Sequence, residues 1–254
     1  GPAFAAALLS TSSVTLTFLV GALASAVAHV LLWRLRLPDQ GRDREHAASP
    51  YLLQLRAGVS YLLNERVLRV VFLLTLSSGL LGRTALELLP ALAGTLLDGA
   101  ATTLAVLTAV AGAGSILGGL LVSQQASQLM RLYSLVCGGV CIAALLLLTA
   151  TFWGTLPRAS VAVALLSMCT TVIGTSCQSL VQLLVEEEFR GRVLSLWTVV
   201  AMGTPALGAL IIGTAGDRYG LPLVLAAPAV LALVFLLKVR SVGIPTGSGG
   251  EGRA

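Results

Sequence analysis

The sequence predicts an all-α fold, a polytopic bundle of transmembrane helices. Of its 254 residues, 56% are hydrophobic and only 11% are charged, and the mean hydropathy is +0.93. Soluble domains carry charged side chains at about a quarter of their positions. This chain has too few charges to cover a surface in contact with water, so lipid is the expected solvent.

Long runs of apolar residues supply the spanning segments. A helix needs roughly 20 apolar residues to cross about 30 Å of hydrocarbon. None of the runs alternates with the period of two that a spanning strand requires, so all are expected to be helices. About seven to eight spans are predicted: a partial one before residue 10, then 14–33, 68–96, 102–123, 131–152, 159–184, 193–215 and 221–238.

The positions of the cations predict how the bundle is oriented. Arg158 and Arg218 lie on one side of the membrane, and Arg83 lies inside a span. The other thirteen cations fall on the opposite side, at Arg34, Arg36, Arg42, Arg44, Arg56, Arg66, Arg69, Arg131, Arg190, Arg192, Lys238, Arg240 and Arg253. Cytoplasmic loops carry such an excess. We expect an inner-membrane protein with a cytoplasmic C terminus, whose net charge of +5 reflects topology and not a nucleic-acid partner.

The chain divides into four predicted segments. A proline-to-arginine pattern that recurs near both ends indicates two related halves. Residues 1–36 are expected to form the last two helices of an N-terminal half, the first of them partial, and residues 67–240 a six-helix C-terminal half. Residues 37–66 are expected to be a cytoplasmic linker with an amphipathic helix, and residues 241–254 a disordered tail. Because the first residues lie within an apolar helix, a C-terminal fragment that lacks most of its N-terminal half is expected.

Two cytoplasmic segments have distinct patterns. Residues 51–66 alternate apolar and polar faces at helical spacing, with Leu55, Val59 and Leu62 on the apolar one, which favours a helix along the membrane surface or under the bundle. The alternative is that these residues form the first turns of the next span. Residues 186–190 contain three glutamates and an arginine, and they are interpreted as a solvated loop.

Two charged residues lie inside one predicted span. Arg83 and Glu87 are four residues apart, share a helix face and can form an ion pair. An ionised side chain near the middle of a span costs at least about 2.5–3.5 kcal/mol and usually faces a water-filled cavity or the bundle interior. We interpret Glu87 as a site for a proton or a substrate cation, with Arg83 adjusting its proton uptake. A structural ion pair that braces two helices is the alternative.

Polar side chains also form a stripe along the span predicted at 159–184. They recur at intervals of one helical turn, which places them on one face: Ser167, Thr171, Thr175, Gln178 and Gln182. In lipid such a face has to point inward. It is predicted to line a substrate pathway, and a contact between two helices is the alternative.

Small residues and prolines predict where helices pack closely or bend. Gly114 and Gly118 are spaced four residues apart, as in faces where two membrane helices approach closely. Pro205 and Gly208 lie within the span predicted at 193–215, where proline kinks a helix or serves as a hinge.

Nothing in the sequence indicates catalysis. Neither His29 nor His46 has a nearby nucleophile or acid to act with, and metal-ligating residues do not cluster. The glycines around Gly114 follow no strand and precede no Lys-Ser/Thr, which excludes a phosphate-binding loop. The four cysteines lie inside spans and are interpreted as packing residues. We therefore expect no enzyme, no catalytic residue, no metal and no cofactor.

Several longer motifs carry a resemblance to a known family. They are Gly1-Pro2-Ala3, the run from Tyr61 to Arg69, the run from Arg190 to Leu196, Gly203 with Pro205 to Leu210, and Gly216 to Gly220. In these motifs the chain resembles the major facilitator superfamily, particularly the branch that contains the enterobactin exporter. The resemblance covers nearly the whole chain except its tail.

The resemblance implies twelve helices in two halves of six, which move by alternating access and usually drive export with protons. Residues 68–238 would be helices seven to twelve, of which helices seven, eight, ten and eleven line the cavity. The implied function is secondary active, proton-coupled export of a small molecule, siderophore- or drug-like. The alternatives are a non-transporting membrane scaffold or a membrane-embedded enzyme. The expected partners are the small molecule, protons, the lipid bilayer and the missing N-terminal half.

Overall fold

The structure, a computed structural model, describes residues 14–34, 51–97, 99–125 and 128–241. This part of the chain is helical throughout and contains no strand. The predicted all-α fold is therefore confirmed. The partial helix expected before residue 10, residues 37–50 of the cytoplasmic linker and residues 242–254 of the predicted tail lie outside the described residues.

The helices are numbered here in chain order over the described residues. Besides the α-helices, residues Gly79–Arg83 form a π-helical segment and residues Ala150–Phe152 form a short 3₁₀ turn. The helices are α1 (Val14–Arg34), α2 (Tyr51–Asn64), α3 (Arg66–Ser78 and Thr84–Glu87 around the π segment), α4 (Leu89–Leu96), α5 (Ala101–Ser123), α6 (Leu129–Leu148), α7 (Leu156–Leu184), α8 (Glu187–Tyr219) and α9 (Leu221–Ser241).

Six helices of the described part are long and apolar enough to cross a membrane, namely α3 and α5 to α9. Helix α1 adds a shorter apolar stretch, Phe18–Arg34. Large apolar side chains point outward along these helices; Phe18 is 75% exposed, Leu231 is 69% exposed and Ile116 is 64% exposed. Water-soluble monomers do not expose such continuous apolar surface, and lipid accounts for it. The predicted polytopic membrane bundle is confirmed.

Two helix boundaries differ from prediction, each for a local reason. The helix of the span predicted at 68–96 is interrupted, because α3 ends at Glu87 and Leu88 leaves the helical conformation (φ −87°, ψ 10°). Pro90 lies in the first turn of α4, where a proline ring cannot continue the preceding hydrogen-bond ladder. The loop expected at 186–190 is wrong, because α8 begins at Glu187. Its first-turn glutamates stabilise the positive end of the helix dipole.

The core of the bundle is built around α7 and α3. In each of these two helices 56% of the most apolar 18-residue stretch is buried, against 22 to 39% in the other spans. Helix α7 packs against α5, α6 and α3, while α9 packs against α6 and α8. Leu166, Ile173 and Leu180 of α7 are almost completely buried. The polar side chains of these two helices consequently lie where several helices converge.

Helix α2 lies across the end of the bundle where α3 and α8 begin. The ring of Tyr61 stacks on that of Phe189, with 4.5 Å between centroids and 11° between planes. A Cβ built at Gly58 would lie 3.2 Å from Cβ of Arg192, so α2 approaches α8 closely here. Leu63 remains 58% exposed. A helix is thus formed here separately from α3. It contacts the bundle through Gly58 and Tyr61, whereas Leu55 and Val59 of the predicted apolar face are each 37% exposed.

Candidate functional site

The polar residues of α3 and α7 line two neighbouring cavities along the same pair of helices. Because α3 and α7 are antiparallel neighbours, rising numbers along α3 correspond to falling numbers along α7. One cavity is lined from Thr75 to Arg83 of α3, and the other begins at Leu86. The two cavities therefore follow one another along the length of the bundle.

The first cavity, called here the Arg83 cavity, has a volume of about 350 Å³ and lies between α3, α7 and α8. Its wall from α7 includes Thr171, Thr175 and Gln178, three members of the predicted stripe. Within the described part of the chain no side-chain hydrogen bond is formed by these three residues or by Arg83. The full lining is Thr75, Ser78, Gly79, Arg83, Thr170, Thr171, Gly174, Thr175, Gln178, Trp197, Thr198, Ala201 and Met202.

A buried hydrogen bond fixes one wall of the Arg83 cavity. The indole Nε1–H of Trp197 donates to the hydroxyl oxygen of Thr75 at 3.1 Å. The Thr75 hydroxyl in turn donates to the carbonyl oxygen of Val71 at 2.9 Å. Because a buried indole N–H without a partner is costly, this contact holds the ring in one orientation and ties α8 to α3.

The second cavity, called here the Glu87 cavity, has a volume of about 530 Å³ and lies between α3, α4, α5 and α7. The hydroxyls of Ser115 and Ser167 share a hydrogen bond of 2.8 Å in its wall, which joins α5 to α7. Thr108 donates its hydroxyl to the carbonyl oxygen of Leu104. The full lining is Leu86, Glu87, Leu89, Pro90, Leu104, Thr108, Ala111, Gly112, Ser115, Ile116 and Ser167.

The structure places the two intramembrane charges in different cavities. Arg83 and Glu87 are both exposed to the space around them, and they form no ion pair. An ion pair is formed instead between Arg190 and Glu187 at 3.9 Å, at the exposed start of α8. The pairing that the four-residue spacing allows is therefore absent. Each charge acts on its own cavity.

The residues of the predicted polar stripe on α7 have different surroundings. Ser167 is buried and faces α5, Thr171 is half-buried, and Thr175 and Gln178 are exposed to the Arg83 cavity. Gln182 is exposed one turn further along and is not among the residues that line either cavity. One end of the stripe thus makes the contact between helices that was the alternative interpretation, and its middle lines a cavity.

A π-helical segment shapes α3 at this site. Gly79 to Arg83 form the π turn, and Thr84 donates its hydroxyl to the carbonyl oxygen of Gly79 at 2.8 Å. A Cβ at Gly79 would lie 2.8 Å from the side chain of Thr204, and one at Gly82 would collide with the Thr170 hydroxyl. The two glycines therefore let α8 and α7 approach the π turn closely. Such turns occur often at functional sites.

The predicted hinge residues of α8 face the same π turn. Pro205 is buried within α8, and its Cδ would lie 3.6 Å from a Cβ built at Gly79. A Cβ built at Gly208 would collide with the hydroxyl of Thr84. The irregular turn of α3 and the proline of α8 therefore lie side by side, where both backbone ladders lack regular hydrogen bonds.

The two glycines predicted on a packing face lie between α5 and α7. A Cβ at Gly114 would collide with the carbonyl oxygen of Ala164, and one at Gly118 would lie 2.6 Å from that of Met168. The α7 backbone passes directly over both positions. This close approach brings Ser115, the next residue of α5, within hydrogen-bonding distance of Ser167.

Sequence reasoning did not identify Thr75, Trp197 and Ser115 as site residues. Thr75 and Trp197 are 122 positions apart, and no local pattern connects them. Ser115 had a usable signal, because it stands beside Gly114 on a helix whose small residues indicate a close neighbour. The hydroxyl of Ser115 could therefore have been expected to find a partner across that contact.

Together these features define a class of protein. A polytopic helical bundle with polar, charged cavities at the level of its spans is the architecture of a membrane transport protein. Residues 1–250 match the model of the MFS_3 family, whose description is transmembrane secretion effector. The match covers nearly the whole chain, so the chain belongs to this family of the major facilitator superfamily. No curated protein and no solved structure matches the chain.

Proposed function

We propose that the protein exports a small molecule in exchange for protons by alternating access. The observation that carries the proposal is Glu87, an acid inside the bundle that lines a cavity of about 530 Å³ without an ionic partner among the described residues. Ionisable side chains on membrane-spanning helices are rare, and they usually mark a path for ions or substrate. Uptake and release of a proton would account for a carboxylate at this position.

The coupling follows from the charge of Glu87. Protonated Glu87 is neutral, and the free energy of enclosing it in a closed cavity is low. Ionised Glu87 is costly to enclose, so it favours the state in which its cavity is open to water. A proton taken up on one side is therefore carried across by protonated Glu87 and released on the other side. Bound cargo accompanies the return of ionised Glu87, so the cargo moves in the opposite direction.

The movement itself has a structural basis in the same helices. The π turn of α3, the break at Leu88 and Pro205 of α8 interrupt the hydrogen-bond ladders beside the two cavities. Bending at such points requires fewer broken hydrogen bonds than bending a regular helix. We propose that α3 and α8 bend here as access alternates between the two sides.

The cargo class and the location belong to the same proposal. Resemblance to the enterobactin-exporter branch supports a siderophore- or drug-like cargo. The bias of cations supports an inner-membrane location with the C terminus in the cytoplasm. A second set of helices facing the two cavities would complete the pathway.

The test is transport by the purified full-length protein in liposomes with an imposed pH difference. The decay of the pH difference is followed with an enclosed pH-sensitive dye while a panel of small drug-like molecules is added. Glu87→Gln should abolish compound-dependent proton movement, because the amide takes up no proton, yet it should retain exchange of cargo for cargo. Glu188→Gln, at the exposed start of α8, is the matched control and should behave as the wild type.

Two outcomes contradict the proposal. Undiminished pH-driven flux in Glu87→Gln would exclude the coupling role of this carboxylate. A wild-type protein that moves neither protons nor any compound of the panel would favour the non-transporting scaffold. A double variant of Glu87 and Gln178 without phenotype in cells would support the same conclusion.

A further inference from the structure

The Arg83 cavity carries a positive charge that nothing around it balances. Every other residue of its lining is neutral, and the nearest acid along α3, Glu87, lines the neighbouring cavity. Within the described part of the chain, Arg83 forms neither an ion pair nor a side-chain hydrogen bond. We infer that this cavity binds the anionic group of the transported molecule, so that the cargo is an amphipathic organic anion. The inference rests on the transport function proposed above.

The polar groups beside Arg83 suit an anion in both charge and chemistry. A guanidinium offers up to five N–H donors in a planar fork, which binds carboxylate, sulfonate or phosphate oxygens in pairs. The hydroxyls of Thr171 and Thr175 and the amide of Gln178 supply further donors on the facing helix. In a site of low dielectric constant, an anion here would offset the cost of holding Arg83 away from bulk water.

The cavity also has apolar side chains, contributed by α8, that can accept the body of the molecule. Trp197 presents its ring to the cavity, fixed by the hydrogen bond to Thr75, and Ala201 and Met202 continue the apolar wall along α8. A volume of about 350 Å³ is at the small end of the range for ligand pockets, and it fits a ring with one acidic substituent. The cavity therefore favours an aromatic or otherwise apolar anion over a bare inorganic ion.

The separation of the two charges assigns them different tasks. A cation would be repelled by Arg83 and attracted to Glu87, whose cavity contains the hydroxyls of Thr108, Ser115 and Ser167. An anion in the Arg83 cavity leaves Glu87 free to exchange protons one turn away.

The test uses the fluorescence of Trp197, which is part of the cavity wall. The chain has three tryptophans, so replacement of Trp33 and Trp153 by phenylalanine leaves Trp197 as the reporter. Three nitroaromatic quenchers of the same size but different permanent charge are titrated into the protein in lipid nanodiscs at pH 7. They are 4-nitrobenzenesulfonate, 4-nitrobenzenesulfonamide and (4-nitrobenzyl)trimethylammonium.

The sulfonate should bind at least about tenfold more tightly than the neutral sulfonamide, and the ammonium compound should bind least. Arg83→Gln should abolish this preference, and Arg83→Lys should retain part of it. Arg158→Gln removes an exposed cation in the first turn of α7 and should leave the preference unchanged. An unshifted Trp197 emission maximum in each variant shows that the cavity wall is intact.

Equal binding of the three quenchers, or a sulfonate preference that survives Arg83→Gln, would overturn the inference. Its failure can be told apart from failure of the proposed function. Selective sulfonate binding without any compound-driven proton movement would refute transport and leave the anion site standing. Proton-coupled flux of neutral or cationic compounds that does not depend on Arg83 would refute the anion site alone.

Discussion

The contact between α5 and α7 gives the most direct quantitative prediction. A Cβ placed on Gly114 collides with the carbonyl oxygen of Ala164 and lies 2.9 Å from its carbonyl carbon. The α7 backbone cannot rotate away as a side chain can, so Gly114→Ala forces the helices apart. Gly119 lies on the same helix, and a Cβ there meets nothing within 4 Å. Gly119→Ala is therefore the matched control.

The magnitude follows from the distance that the helices must move. Carbon atoms attract best at about 3.5–4.0 Å, so relief of this overlap needs a separation of roughly 0.5–1 Å. A gap of that size forfeits a quarter to a half of the dispersion energy of the atoms it parts. Overpacking of this kind costs about 1–3 kcal/mol, or between about fivefold and somewhat over a hundredfold in the unfolding equilibrium. The gain in helix propensity from alanine is common to both variants and cancels.

The free energy of unfolding is measured by titration with SDS in mixed micelles, with helical content followed by circular dichroism. Gly114→Ala should unfold at a clearly lower SDS fraction than Gly119→Ala. The separation also stretches the bond between Ser115 and Ser167 in the wall of the Glu87 cavity, so flux should fall with stability. Equal unfolding midpoints for the two variants would refute the reasoning, since they would show that α5 and α7 are not in backbone contact.

Two further predictions concern the site itself. Gly208→Ala should destabilise the protein by about 1–3 kcal/mol, because its Cβ collides with the Thr84 hydroxyl. Adding Thr84→Ala should restore part of the lost stability in the same SDS titration. Absence of any recovery would contradict the contact between Gly208 and Thr84. Trp197→Phe should lower the free energy of unfolding by about 0.5–1.5 kcal/mol through the lost hydrogen bond to Thr75. A double-mutant cycle with Thr75→Ala measures the coupling energy of the two side chains. Additive effects of the two substitutions would show that the hydrogen bond contributes nothing to stability.

The spans could be predicted from the sequence because lipid imposes one strong condition. Every backbone polar group in hydrocarbon needs a partner within the same segment, so length and lack of charge largely define where helices run. The interruption at Leu88 has a different cause, namely Pro90 two residues later. The effect of a proline depends on whether a neighbouring helix compensates the lost backbone hydrogen bonds. The start of α8 at Glu187 likewise depended on the helix dipole, which hydropathy does not measure.

The site was only partly visible in the sequence. Periodicity put Thr171, Thr175 and Gln178 on one face of α7, since helical spacing is a property of one segment. The division of the polar residues into two cavities depends on which helix lies opposite each turn of α7, and α5 and α8 come from distant parts of the chain. The hydrogen bond between Trp197 and Thr75 likewise joins two helices that are distant in the sequence. No pattern within α3 or α8 alone predicts it.

The π turn explains why Arg83 lies over Thr75 in the same cavity. Eight residues separate Thr75 from Arg83, which in a regular helix at about 100° per residue leaves Arg83 some 80° past two full turns. A π turn takes up about one extra residue, and it brings Arg83 back over Thr75 and Gly79, beside α8. Glu87 comes one turn later, where α3 ends and α5 is the neighbour. The irregular turn thus sets which neighbouring helices Arg83 faces, and the spacing of residues in the sequence does not show this.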